Sequence, residues 1–197
     1  MAGNTITIGV ASRPYPSEIV NGDAHAVHWS EGSCRIAVID GLGHGVAAAE
    51  ASARAVAVLD AHPDLDPAEA LRRCHTALVG TRGAAISVVR LDPARGELVY
   101  AGIGNVEGHL WQGGRQERMI AYRGIIGSAM RTVRPFTMQL ADEWTLLMHS
   151  DGVSARADLH ALDLPTPWDP EQLAQAVLER YGREHDDALA VVAMPRA

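Results

Sequence analysis

One stretch of the sequence, Cys34 to Asp60, most constrains how the chain can fold. It contains four apolar residues, Ile36 to Ile39, whose number and β-branched content are typical of a strand buried on both faces. The strand ends on Asp40, and glycines follow at 41, 43 and 45. The alanine-rich segment after them lacks Gly and Pro and predicts a helix from Val46 to Asp60. A carboxylate is therefore expected at the rim of the core, on backbone that glycine allows to turn tightly.

A second aspartate, Asp23, is expected beside Asp40. Asn21-Gly22-Asp23 is a strong turn signal, and two strand-like segments follow it on either side of a Glu31-Gly32-Ser33 turn. Residues 21–40 therefore predict a β-hairpin. Because the start of one antiparallel strand lies beside the end of the next, the hairpin brings the two carboxylates together.

Three further aspartates have a similar context. Asp151 ends an apolar strand and precedes a glycine, as Asp40 does, and Asp186 and Asp187 open the last apolar strand. If these strand ends converge at one edge of a layered domain, the carboxylates repel one another unless a cation neutralises them. Oxygen ligands select Mg²⁺, Mn²⁺ or Ca²⁺ over Zn²⁺, and the sequence has no HExxH motif. The aspartates therefore predict a site for hard divalent cations.

The rest of the pattern predicts an α+β domain, with helices early and late among antiparallel strands, and we expect residues 1–197 to form one domain. A helix is predicted from Pro67 to Val79, after Asp66 as N-cap, and another from Glu171 to Tyr181. The four strands between Ala84 and Tyr122 are expected to form an antiparallel meander. The predicted strands are Thr5–Ser12, Ala24–Trp29, the core strand to Asp40, Ala84–Leu91, Glu97–Ile103, Val106–Trp111, Glu117–Tyr122, Pro135–Leu140, Glu143–His149 and Ala188–Met194.

Composition excludes several classes of function. The formal charge of −7 and a pI near 5.7 leave no basic face for nucleic acid or for an anionic membrane. Cys34 and Cys74 form no CxxC motif, which favours a reduced interior over a disulfide framework. The sequence has no signal pattern and no apolar run near the ~18 residues of a membrane span, so we predict a cytoplasmic protein.

Five motifs occur along the chain in a fixed order: NGD at 21–23, DGLGHG at 40–45, AGIGNVEG at 101–108, SDGV at 150–153 and HDDALAVV at 185–192. In their order and spacing they resemble the SpoIIE-type branch of the PPM metal-dependent serine/threonine phosphatases, over essentially the whole chain. Within that branch the chain is similar to small stand-alone enzymes of the bacterial stressosome. The resemblance implies that its partners are phosphorylated STAS-domain proteins of the RsbS and RsbR type, and we expect a monomer.

The resemblance also implies a fold and a mechanism. The fold is an αββα sandwich, two antiparallel sheets face to face with helices outside, and the site holds two Mn²⁺ or Mg²⁺ ions. Asp40 would bridge both ions, and Gly41 would offer its backbone carbonyl to one of them. Asp151 and Asp186 would complete the other, while Asp23 and Asp187 would orient water or bind an additional ion. Two such cations lower the pKa of a bridging water and absorb charge on the phosphoryl oxygens.

The chain departs from the eukaryotic PPM pattern at two places. The histidine expected two residues after the bridging aspartate is replaced by Leu42, and His44 lies two residues further on. His44 either protonates the leaving serine or caps the buried helix. Glu18 stands where the phosphate-gripping arginine would be, with Arg13 as a substitute. Phosphate binding would then rest mainly on the metals, which predicts weak activity on small phosphoesters.

Three other interpretations stay open at this point. Residues 43–48 satisfy the dinucleotide fingerprint GxGxxA, although a helix follows where a Rossmann unit needs its second strand. The chain could also act on an anti-anti-sigma factor, or serve as a PPM-fold binding module without turnover. The remaining histidines show no ligand spacing and are expected to have surface or core roles: His25, His28, His62, His75, His109, His149 and His160.

Overall fold

Ten strands form two antiparallel five-stranded sheets in the computed structural model, which describes residues 6–30, 32–130 and 132–196. The strands are β1 (Ile6–Arg13), β2 (Asp23–Ser30), β3 (Ser33–Gly41), β4 (Ala84–Asp92), β5 (Glu97–Ile103), β6 (Glu107–Gln112), β7 (Arg115–Met119), β8 (Phe136–Gln139), β9 (Trp144–His149) and β10 (Ala188–Pro195). Sheet 1 has the order β1-β10-β9-β6-β7, and sheet 2 has the order β2-β3-β4-β5-β8. Thr5 of the predicted first strand and Glu31 of the predicted hairpin turn lie outside the described residues.

Helices cover the outer faces of the two sheets. Helices α1 (Val46–Ala61) and α2 (Pro67–Ala77) pack on sheet 2, and α3 (Pro170–Tyr181) packs on sheet 1. A short 3₁₀ helix spans Leu159–Ala161. The αββα sandwich implied by the resemblance is confirmed. No helix in the described part of the chain is long and apolar enough to cross a membrane.

Three apolar layers hold the sandwich together. Between the sheets, residues such as Ile36 and Val89 face Leu146 and Val191. The alanine-rich α1 packs closely on sheet 2 because its buried positions are small. Leu173 and neighbouring residues of α3 cover the outer face of sheet 1. The packed layers fix the positions of the strand ends and loops at the edge of the sandwich, where the predicted aspartates lie.

A buried arginine joins a strand to the end of a helix. Arg35 on β3 is only 3% exposed, and its guanidinium donates to the carbonyls of Leu59 at 2.7 Å and His62 at 2.6 Å. These carbonyls belong to the last turn of α1 and to the residue after it, where backbone acceptors lack the usual i+4 donor. The Leu59 carbonyl also accepts the His62 N–H at 3.2 Å, so Arg35 is its second donor. The arginine therefore fixes how α1 sits on sheet 2.

The predicted meander from Ala84 to Tyr122 is wrong. β5 lies in sheet 2 and β6 in sheet 1, because the chain crosses between sheets at Gly104, whose φ of +103° suits only glycine. β8 and β9 likewise lie in different sheets. β7 begins earlier than predicted, since Gly113 and Gly114, both at positive φ, make a two-residue hairpin turn directly after β6.

Candidate metal centre

The hairpin of β2 and β3 brings Asp23 and Asp40 together. The two residues are direct partners in the antiparallel register, as the sequence predicts. The backbone N–H of Asp23 donates to Asn21 Oδ1 at 2.8 Å, and that of Gly41 donates to the Gly22 carbonyl at 3.2 Å. These bonds hold the start of β2 against the end of β3. The Asp23 carboxylate is thereby placed at the rim of the core, 8% exposed.

The other three aspartates come from sheet 1. Asp151 follows the end of β9, and Asp186 and Asp187 precede β10, its neighbour in the sheet. Ser150 connects the two groups, because its hydroxyl donates to Asp23 Oδ2 at 2.5 Å and accepts from the Leu189 N–H at 3.0 Å. The ends of strands from both sheets therefore meet at one edge of the sandwich.

The aspartate carboxyl groups lie close enough to raise one another's pKa values. Burial raises the pKa of Asp40 to about 9, helped by the charges of Asp23, Asp151 and Asp186 and by a hydrogen bond shared with Asp151. Burial also raises the pKa of Asp23 to about 7, although its bond from Ser150 opposes the shift. The pKa of Asp186 is raised as well, by burial and by Asp151. Without a cation, these carboxyl groups hold protons or repel one another.

The aspartates offer the oxygen ligands that suit hard divalent cations. Asp187 Oδ1 accepts from the Tyr15 N–H at 2.8 Å, but Oδ2 is buried with no hydrogen-bond partner. A Cβ atom at Gly22 would lie 2.6 Å from this Oδ2, so the glycine leaves it room. No three of the aspartates bring one oxygen each within 4.8 Å of the others in the described chain. Oxygen donors alone are the ligand type that Mg²⁺ and Mn²⁺ prefer.

His44 lies at the rim of the site and is held by two side chains. Its Nδ1 is 2.9 Å from Glu18 Oε1, and its ring stacks on Tyr15 with centroids 4.2 Å apart. The helix-cap alternative for His44 is wrong, because the N-cap of α1 is Gly45 and no side chain caps that helix. The pairing leaves Nε2 of the half-exposed imidazole free to meet a substrate.

Several residues near the aspartates were not predicted as site residues. Ser150 is one, and Asn105 is another, whose amide donates to Asp151 Oδ2 at 2.5 Å. Asn105 lies in the motif GIGNVE and Ser150 in the motif SDGV. The sequence does not show that these two residues contact aspartates on distant segments of the chain. Arg82 is a third: its guanidinium lies 2.6 Å from where a Cβ of Gly43 would be. Arg13, the expected substitute for the phosphate-gripping arginine, donates instead to the Arg183 carbonyl.

Two histidines expected to have surface or core roles gather with an acidic residue. Glu107, His109 and His149 each bring one potential ligand atom within 4.8 Å of the others. Both histidines are buried, as expected of core roles, and they also lie near a carboxylate in space. The spacing became visible only with the pairing of β6 and β9, which the linear sequence does not give.

Comparison with known proteins places the fold and the motifs in one family. The family model described as Stage II sporulation protein E (SpoIIE) matches residues 30–196. Phosphoserine phosphatase RsbX of Bacillus subtilis (strain 168) is 24% identical over 134 residues, which make up 68% of this chain and 67% of the relative.

Solved structures agree with that assignment. One described as "The bacterial stressosome: a modular system that has been adapted to control secondary messenger signaling" superposes with a TM-score of 0.90 at 30% identity, covering 96% of this chain and 99% of that chain. RsbX in complex with magnesium superposes with a TM-score of 0.85 at 20% identity, covering 97% and 96%. The chain therefore belongs to the SpoIIE family and is a PPM-type serine/threonine phosphatase related to RsbX.

Proposed function

We propose that the chain removes phosphate from phosphoserine or phosphothreonine of STAS-domain proteins, of the RsbS and RsbR type, in a bacterial stress-signalling partner switch. The observation that carries the proposal is the convergence of five aspartates from both sheets at one edge, with raised pKa values for three of them. Two relatives support the choice of substrate, one named as a phosphoserine phosphatase and one described with the stressosome. A monomer in the cytoplasm is part of this proposal.

Six residues would hold two Mn²⁺ or Mg²⁺ ions and their water. Asp40, the backbone carbonyl of Gly41, Asp151 and Asp186 would supply ligands to the ions, while Asp23 and Asp187 would orient water or bind an additional ion. Such ions, when bound, supply an activated water and neutralise charge that develops on the phosphoryl oxygens.

The leaving oxygen needs a proton, and we assign this role to His44 in its imidazolium form. As water adds to phosphorus and the P–O bond to the serine breaks, the proton on Nε2 would pass to the serine Oγ, which leaves a neutral ring protonated on Nδ1. The Glu18 carboxylate, 2.9 Å from Nδ1, would accept the Nδ1–H and so hold the ring during this step. The products are inorganic phosphate and the free hydroxyl of the partner.

The test measures phosphate release from a serine-phosphorylated STAS-domain protein with added Mn²⁺. Wild type is compared with the same sample plus chelator, with Asp40→Asn, and with Asp142→Asn, which alters an exposed aspartate at the opposite end of β9 from Asp151. We expect release to need metal and to fall more than about 100-fold in Asp40→Asn, because a ligand costs at least as much as the groups that orient it. Asp142→Asn should match the wild type.

Two outcomes would contradict the proposal, one its substrate and the other its catalytic activity. Release from a phosphorylated anti-anti-sigma factor, without release from RsbS- or RsbR-type proteins, would overturn the substrate but keep the mechanism. Binding of Mn²⁺ without release from any phosphorylated STAS-domain protein would favour a binding module.

A further inference from the structure

A group of three ligand-type side chains lies on sheet 1, apart from the aspartates. Glu107 on β6 and His149 on β9 are direct partners in the antiparallel register. His109 lies two residues after Glu107, so it points to the same face of the sheet. That face is the outer one, because alternate residues such as Leu110 and Met148 pack between the sheets. Strand pairing therefore builds the group from residues 40 positions apart.

One nitrogen of this group is buried without a partner. His149 is fully buried, and its Nδ1 donates to the Ser150 carbonyl at 2.8 Å. This bond places the proton on Nδ1 and leaves a lone pair on Nε2, which has no hydrogen-bond partner. A buried acceptor left unpaired destabilises the fold. The imidazole is thus oriented as metal-binding histidines are, with one nitrogen on a carbonyl and the other free.

The other two side chains are also held by neighbours. Glu107 Oε1 pairs with the Arg118 guanidinium at 2.6 Å, which leaves Oε2 near His109 Nε2 at 3.3 Å. The side-chain amide of Gln116 lies 3.0 Å from His109 Nδ1. Binding of metal at Nε2 requires the proton on Nδ1, so the amide must present its oxygen there. A half-turn of the amide achieves this, since it exchanges two atoms of similar size.

We propose that Glu107, His109 and His149 bind one divalent ion of the zinc class, at a site separate from the aspartates. Two imidazoles and one carboxylate are a ligand set that Zn²⁺ accepts, with a fourth position left for water. Nitrogen ligands favour Zn²⁺ or Co²⁺ over Mg²⁺ and Mn²⁺, so the two sites select different metals. A cleft of about 370 Å³, lined in part by Asn105, Glu107 and Arg118, reaches the carboxylate of the group.

The position of the ion would connect it to the phosphatase site. Two residues before Glu107 is Asn105, and two residues after His149 is Asp151, the pair joined by the 2.5 Å hydrogen bond. An ion that holds β6 to β9 would therefore fix the two strand ends that carry this pair. Its role would be to position Asp151, without contact with the substrate.

The test uses Co²⁺ as the probe, in the presence of saturating Mg²⁺, which occupies oxygen sites but binds imidazole poorly. Equilibrium dialysis counts the Co²⁺ retained, and its visible spectrum reports coordination, because four-coordinate Co²⁺ absorbs far more strongly than six-coordinate Co²⁺. We expect one equivalent with a four-coordinate spectrum in the wild type. Affinity should fall more than about 100-fold in His109→Gln and in Glu107→Gln.

His160→Gln, at an exposed histidine in the 3₁₀ helix, serves as the matched control and should retain the ion. The two test variants avoid the fully buried His149, and circular dichroism verifies that they are folded. Displacement of all Co²⁺ by Mg²⁺, a six-coordinate spectrum, or equal retention by folded test variants would overturn the proposal. None of these readouts depends on phosphate release, so the proposed phosphatase mechanism stands or falls separately.

Discussion

At the scale of single residues, His44 gains its orientation from two neighbouring side chains. Glu18 occupies the place expected of a phosphate-gripping arginine and instead pairs with the imidazole, while Tyr15 stacks against the ring. The pair could not be predicted from sequence, because 26 residues separate its members. Asp23 and Asp40 could be predicted to meet, since a single hairpin sets their register.

The pairing of His44 with Glu18 predicts that the effect of losing His44 on kcat depends on the leaving group of the substrate. In His44→Gln, kcat on a phosphoserine substrate should fall about 100-fold, within the usual range for loss of a general acid. The loss should be much smaller on p-nitrophenyl phosphate, whose leaving group departs without a proton. Glu18→Gln should lower kcat in the same direction by less, and His160→Gln should change neither rate. Equal losses on both substrates would show that His44 does not donate the proton.

At the scale of secondary structure, the elements were predicted well and their partners less well. Helix starts followed from local chemistry, as at α2, where Asp66 accepts from the N–H groups of Ala68 and Glu69. Alternation also located most strands, because it reports which residues face the core. Alternation does not report which strands are neighbours in a sheet. The crossing between sheets at Gly104 and the group of Glu107, His109 and His149 on β6 and β9 were therefore not predicted.

The contact of β3 with the end of α1 predicts a large effect from one buried residue. Arg35→Leu should lower the free energy of unfolding by about 1–3 kcal/mol, because it removes the guanidinium donor from the buried His62 carbonyl and one of the two donors from the Leu59 carbonyl. Arg90→Leu, at the partner position on β4, removes only a half-exposed ion pair with Glu97 and should cost at most about 1 kcal/mol. Urea denaturation measures both, and equal losses would contradict the capping role.

At the scale of the whole molecule, the aspartates make stability depend on pH and on metal together. A carboxyl whose pKa is higher in the folded than in the unfolded protein stabilises the fold at low pH, and this stability is lost as pH rises through the folded value. Burial places the pKa of Asp40 at about 9 and that of Asp23 at about 7, against 3.8 when unperturbed. Between pH 7 and 9, Asp40 is therefore the main contributor. The lowered pKa of His149, about 4, acts with the opposite sign only below its ordinary value of 6.5.

We therefore expect the protein in chelator to lose stability from pH 7 to pH 9, and Mn²⁺ to restore it by binding the ionised carboxylates. Thermal denaturation with and without Mn²⁺ measures the effect. Asp40→Asn should flatten the slope in chelator and weaken the response to metal, while Asp142→Asn should leave both unchanged. A stability in chelator that rises between pH 7 and 9 would contradict the carboxylate origin.

The strand orders of the two sheets also bear on how the chain is made. In sheet 2, β2, β3, β4 and β5 pair in succession, whereas in sheet 1 the partner of β1 is β10, with Ile6 opposite Pro195. Contacts between near neighbours in sequence form quickly, and those between distant segments form late. During synthesis on the ribosome, the hairpin with Asp23 and Asp40 can thus fold well before Asp186 and Asp187 exist. We expect the nascent chain to acquire its metal-binding edge last, after the sheets have closed.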